Sequence, residues 1–276
     1  MCPPEPEEHM QVDPTLHRLD SPTNQGAPDA PVLADEAQDG PSNVQVHPTW
    51  SVEPPTICDF ARAIRDMNLN LSQKRALLLT RQHRLVLAQG PPGTGKTQLA
   101  TAVVRAWSIT QKAGDVIIAA APSNTATNTL LDRALEHPHT AMHIGRIGDH
   151  ESVFVPHRIR YSVVHRALEG QRPEEVSRKT LNKRVHDLLR RGVYFTLYST
   201  YMKAAELSGL QVHFLLADEA GQATEPDTAV LLATAASGGH VLLVGDEHQL
   251  PPTVRDQDAA WGGLENSLLL RLRRSH

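Results

Sequence analysis

The chain has 276 residues and only two cysteines, Cys2 and Cys58, in or beside its N-terminal stretch. That length holds one well-packed domain of about 200 residues with some to spare, and so few thiols exclude a disulfide framework and fit a reducing compartment. The chain opens Met-Cys-Pro-Pro-Glu-Pro-Glu-Glu without an apolar signal segment, and no apolar run approaches the roughly 18 residues of a membrane span, so a cytoplasmic or nuclear protein is expected.

Residues 1–60 hold 11 acidic side chains and one basic, Arg18, which leaves 26 Lys+Arg against 20 Asp+Glu in the remainder. A mildly basic body behind an acidic tail is compatible with a polyanionic partner. Residues 1–55 also hold 11 of the 20 prolines and few large apolar side chains. They bury too little surface to offset ordering, so a disordered acidic, Pro-rich tail is expected there, with the folded domain over 56–276.

Taken in chain order, 59–80 reads as helical in pieces and 84–89 as a short apolar strand. Residues 90–97 form a Gly/Pro-rich turn that opens an amphipathic helix to about 110. A strand over 115–121 leads through Pro122 into a helix over 126–136. Residues 137–191 are rich in Arg and His and end in a charged helical stretch over 174–191, expected to form a basic, partly helical insertion. Three more strands are expected over 192–199, 212–217 and 240–244. Short apolar runs alternating with helices predict an α/β fold, a parallel sheet with helices on both faces.

Gly90-Pro-Pro-Gly-Thr-Gly-Lys-Thr97 satisfies G-x-x-x-x-G-K-[ST], with a strand before it and a helix after it. Gly93 and Gly95 allow torsions and clearance that a Cβ would obstruct. Backbone N–H groups then converge on phosphate at a helix N-terminus, where the dipole also favours negative charge. Lys96 is expected to reach the β- and γ-phosphates and Thr97 to ligate Mg2+. The nucleotide-binding candidates are therefore Gly90, Pro91, Pro92, Gly93, Thr94, Gly95, Lys96, Thr97 and the next residue, Gln98. Leu215-Leu-Ala-Asp-Glu219 is the expected second half of the site: Asp218 supports the metal and Glu219 activates the attacking water. Taken alone, the same run is a strand meeting a polar turn. A further strand ends Val244-Gly-Asp-Glu-His-Gln249. It places Asp246 and Gln249 beyond a carboxyl edge, where ligands of such sheets collect.

Together these segments resemble superfamily 1 helicases, in particular the branch of the nonsense-mediated-decay helicase and senataxin. The resemblance runs over about 69–272. Leu69-Asn-Leu-Ser-Gln73 resembles the Q motif, which implies that Gln73 reads adenine. The segment 90–97 is motif I. Ala121-Pro-Ser-Asn-Thr-Ala-Thr-Asn128 resembles motif Ia, which implies strand contacts from Pro122, Ser123 and Asn124. Tyr198-Ser-Thr200 resembles motif Ic, with Ser199 and Thr200 as further strand contacts. Asp218-Glu-Ala-Gly-Gln-Ala-Thr-Glu-Pro226 is similar to motif II, and 243–252 to motif III, which implies a γ-phosphate sensor at Gln249.

The resemblance implies a RecA-like P-loop NTPase domain, the ATP-binding first half of a helicase or translocase. It also implies the partners: ATP and Mg2+, single-stranded RNA or DNA, and a second RecA-like domain. The chain ends at His276, soon after the motif III-like segment, so the second domain's arginines are expected to lie outside it. Two rival readings stay open, a strand- or ATP-binding remnant without efficient hydrolysis and an AAA+-type ATPase acting on protein. Between 143 and 191 eleven Lys+Arg face six Asp+Glu, which predicts either a phosphate-binding surface or a solvated helical lobe. Tyr161, Tyr194, Phe195 and Tyr198 are the nearby candidates for base stacking. Trp107 is expected in the core and Trp261 at a partner's interface.

Overall fold

The computed structural model describes residues 11–12, 65, 67–110, 114–136, 144–148, 156–189, 192–198 and 212–275. The strands are β1 (Gln11–Val12), β2 (Leu85–Gln89), β3 (Val116–Ala121), β4 (Ile144–Ile147), β5 (Gly192–Leu197), β6 (Val212–Ala217) and β7 (Ala235–Gly245). The main helices are α1 (Leu71–Gln82), α2 (Lys96–Thr110), α3 (Asn124–Leu135), α4 (Val163–Leu168), α5 (Arg178–Leu188), α6 (Glu225–Ala233) and α7 (Leu268–Arg274). One sheet joins the strands in the order β1-β2-β7-β6-β3-β5-β4. All neighbours are parallel except β1, whose Gln11 and Val12 lie antiparallel opposite Gln89 and Ala88. Apart from Gln11 and Val12, the expected tail over 1–55 lies outside the described residues.

Strand side chains alternate between faces, and here both faces are dry. Val86, Ile117, Ala119, Phe195, Leu216 and Leu242 point into one layer, closed by α1, α2 and α3 through Leu77, Leu99, Val103, Trp107 and Leu130. Leu87, Ile118, Tyr194, Leu215 and Leu243 point into the other, closed by Val163 of α4, Leu231 of α6, and Leu268 and Leu269 of α7. A sheet covered on both sides needs no polar alternation, which is why its strands read as short continuous apolar runs. Trp107 is 1% exposed and packs 5.2 Å, centroid to centroid, from Phe214.

β4 corrects the expectation of an insertion over the whole of 137–191. Ile144–Ile147 is the outermost strand of the sheet, parallel to β5, with Arg146 opposite Phe195. The extra lobe begins only beyond it, with α4, a 3-10 turn at Pro173–Glu175 and α5. No residue of α5 is buried, so its charged positions make a solvated face. The helix starts are locally encoded: Asn70, Ser123, Ser162, Ser177, Thr224 and Ser267 each cap an N-terminus through a side-chain oxygen.

Candidate active site

Parallel pairing delivers the motif residues to one rim. β2, β7 and β6 are neighbours, and their carboxyl ends lead into Gly90, Asp246 and Asp218. The junctions are tied across strands, the Gly90 N–H donating to Gly245 O at 3.2 Å and the Asp218 N–H to Ala120 O at 2.8 Å. The carboxyl ends of β3 and β5 continue the rim, so motif Ia lies one strand beyond Asp218.

The loop after β2 has the form of a phosphate cradle. Gly93 and Gly95 have φ of +83° and +81°, a region that favours glycine. A Cβ on Gly95 would also lie 2.4 Å from Gln73 Nε2. Lys96 opens α2 and is 7% exposed, its ammonium donating to Gly90 O at 2.9 Å and to Pro91 O at 3.3 Å. Thr94 Oγ1 donates to Pro91 O at 2.8 Å and closes the turn, while Pro92 and Gly93 are exposed at its tip. Thr97 is half-buried on the first turn of α2, and the exposed Gln98 donates from Nε2 to Asn68 O at 2.8 Å.

Gln73 is committed to this loop. It is 2% exposed, and Nε2 donates to Thr94 O and Gly95 O, both at 3.2 Å, while Oε1 accepts from Asn70 N at 3.0 Å. A carboxamide has two N–H groups, and both are used here. Only a spare lone pair on Oε1 is left for an adenine amino group, so the side chain braces the loop before it reads a base.

Asp218 lies at the end of β6, 3% exposed, and its Oδ1 is buried without a hydrogen-bond donor. Burial, reinforced by the charge of Glu219, pushes its carboxyl up to about 7; a backbone N–H bond and the Lys96 ammonium pull the other way. A buried carboxylate oxygen with no donor is the arrangement that a cation completes. With the Thr97 hydroxyl it offers the all-oxygen donors that suit Mg2+. Tyr198, which is 3% exposed, donates to the backbone carbonyl of Asp218 at 2.8 Å. Glu219 adopts φ +52°, uncommon outside glycine, and its carboxylate accepts from Gln222 Nε2 at 3.3 Å. The turn that follows is pressed onto the end of β7, where a Cβ on Gly221 would fall 2.6 Å from Asp246 O. Asp246 is 3% exposed and accepts from His248 N at 3.0 Å, and Gln249 is half-buried on the same turn.

The polymer-facing candidates stand one strand away. Pro122 is half-buried, and Ser123 and Asn124 are exposed. Ser123 Oγ accepts from Ala126 N at 3.1 Å and caps α3. Ser199 and Thr200 lie outside the described residues. Three of the expected stacking aromatics are in the core: Tyr194, Phe195 and Tyr198 are 1%, 1% and 3% exposed. They sit on or next to β5, whose both faces are covered. Tyr161 alone of the four is partly accessible, with Arg160 and Arg166 at 5.0 and 5.8 Å over its ring. Tyr198's bond to Asp218 and Gly221's packing under Asp246 carried no signal at sequence level, because each joins segments far apart in the chain.

A family model described as an AAA domain matches residues 68–259. "Regulator of nonsense transcripts 1" of Caenorhabditis elegans is 28% identical over 221 residues, which cover 74% of this chain and 20% of that protein. "ATP-dependent helicase NAM7" of Saccharomyces cerevisiae is 30% identical over 220 residues, 74% of this chain and 22% of its own length. "ATP-dependent helicase upf1" of Schizosaccharomyces pombe is 26% identical, covering 74% and 24%. The chain thus spans between 20% and 24% of the length of these relatives. Among solved structures, T4 UvsW overlaps 70% of this chain and 35% of its own at 15% identity and a TM-score of 0.43, too loose to bear on function. The chain belongs to the AAA-domain family, and over 74% of its length its sequence is similar to helicases of the nonsense-transcript-regulator type.

Proposed function

We propose that this domain binds Mg·ATP on the rim of β2, β7 and β6 and hydrolyses it in a motor that tracks single-stranded RNA or DNA, a second RecA-like domain completing the cleft. The observation that carries the reading is Asp218, a buried carboxylate with an unpartnered oxygen, in the electrostatic reach of the P-loop lysine. Relatives named as ATP-dependent helicases support the polymer half of the proposal.

Each residue then has a task. Lys96 leaves the neutral loop carbonyls Gly90 O and Pro91 O for anionic phosphate oxygens, which bind an ammonium more strongly. Thr97 and Asp218 hold Mg2+, which when bound offsets phosphate charge. Glu219 takes the proton of the attacking water, and Gln249 faces the γ-phosphate from the turn after β7. Gln73 holds the shape of the loop and offers Oε1 to the base. Pro122, Ser123 and Asn124 meet the strand, joined by Ser199 and Thr200.

The assignment of Glu219 and Lys96 is tested by Glu219→Gln and Lys96→Ala. Glu219→Gln should retain Mg·ATP, followed with a fluorescent nucleotide, while turnover with oligouridine drops at least about a hundredfold, the share of a general base. Lys96→Ala should lose binding itself. Glu219→Gln turning over like the wild type would remove that residue from the reaction.

A further inference from the structure

Arg146 is fully buried in β4, yet its guanidinium meets neutral partners. Nε donates to Asn128 Oδ1 at 3.2 Å, Nη2 to Asn124 Oδ1 at 2.8 Å, and Nη1 to the carbonyl of Ile147. Burial and the repulsion of Arg158 pull it down to about 10, so it remains a cation at neutral pH. Enclosing a cation without a carboxylate is costly. The less costly arrangement exists on the same helix, where Arg158 pairs with Asp132. Positions 124, 128 and 132 of α3, spaced by four, share one face. The outer arginine is given an acid there, and the buried one is given two amides.

The choice of amides has a chemical consequence. Arginine can only donate, so the atom of Asn124 that faces it must be the carboxamide oxygen. Nδ2, which can only donate, is left for the other side of an exposed residue on the first turn of α3. Phosphate oxygens only accept, so a donor held outward here matches a strand backbone, whereas an aspartate would pair with Arg146 and repel the strand. β4 itself is held in place by Arg146 N–H donating to Tyr161 O at 2.7 Å.

We propose that Arg146 is the positioning residue of the strand-binding edge: it locks Asn124 with its amide donor outward, toward a phosphate of the bound single strand. The inference rests on the strand-binding role proposed above for Asn124 and adds Arg146 to it.

The test is a double-mutant cycle on the full chain, reading the affinity for fluorescein-labelled oligouridine by anisotropy, with melting temperature recorded for every variant. Asn124→Ala and Arg146→Gln are each expected to weaken binding about tenfold, the scale of one charge-assisted hydrogen bond. Because Arg146 acts through Asn124, the double variant should bind no more weakly than Asn124→Ala, to within about twofold. Asn124→Asp, which supplies Arg146 with a carboxylate, should melt no lower than the wild type and still bind the strand at least about tenfold more weakly. Losses that multiply in the double variant would overturn the positioning role while leaving strand binding intact. So would Asn124→Asp binding like the wild type, an arm that decides the matter even if Arg146→Gln fails to fold. A wild-type chain that does not bind oligouridine would remove the strand reading, and this inference with it.

Discussion

Asp218 shows at residue scale how one site stores electrostatic cost for later use. Its carboxyl titrates near 7 in the folded chain against an ordinary 3.8, so between those values the native state holds a proton that the unfolded chain has released. The associated stability is therefore full below about pH 4 and drains as pH rises through 7, by at most about 4 kcal/mol. Asp218→Asn, which cannot titrate, should gain on the wild type as pH rises from 4 to 8, the two converging at the acid end; thermal melts across that range check it. A constant difference at every pH would mean that Asp218 is not the group responsible. In the proposed function a cation would satisfy the same carboxylate at neutral pH and offset this cost. Glu219 beside it is held at positive φ, a local strain of the kind that collects at functional sites.

At the scale of elements, α1 and the P-loop behave as one unit. The capping box that starts α1 uses Asn70 Oδ1 to accept from Gln73 N at 2.8 Å, and the Gln73 side chain it fixes then holds Thr94 and Gly95. Asn70→Ala should cost about 1 kcal/mol of stability, the usual value of an N-cap. It should also weaken nucleotide binding, although residue 70 lies outside the loop. Denaturant unfolding and a nucleotide titration on the same variant separate the two effects, and unchanged affinity would uncouple α1 from the site. The loop, α2 and the ends of β6 and β7 were legible in the sequence because each is written in a local code: glycines at fixed spacing, or an apolar run closed by acids. β4 was not legible, since a strand of four residues with Arg146 inside it resembles a loop until the two asparagines of α3 are brought beside it. The aromatics misled for a related reason. Tyr194, Phe195 and Tyr198 lie in a basic neighbourhood of the chain, but the two covered faces of the sheet decide their place.

The whole molecule divides its rim between two tasks. In the proposed function, nucleotide chemistry takes the ends of β2, β7 and β6, and the strand-facing candidates follow β3, so the two candidate sites meet at the β6–β3 pair, where Ala120 sits opposite Ala217. The Asp218 N–H bond to Ala120 O ties the end of β6 to β3, four residues before the start of α3. After β7 the chain leaves Leu250 and Trp261 at 81% and 78% exposure, which in the proposed function would face the second domain. The parallel sheet with both faces covered was predictable from the spacing of apolar runs, whereas the adjacency of the β6 and β3 ends depends on strand order, which no local pattern encodes. Whether ATP turnover and strand binding belong to one machine is decided by steady-state ATP hydrolysis with and without single-stranded RNA, beside Lys96→Ala. Turnover that RNA raises and Lys96→Ala abolishes is the predicted result. Turnover that RNA leaves unchanged, or that survives in Lys96→Ala, would contradict it.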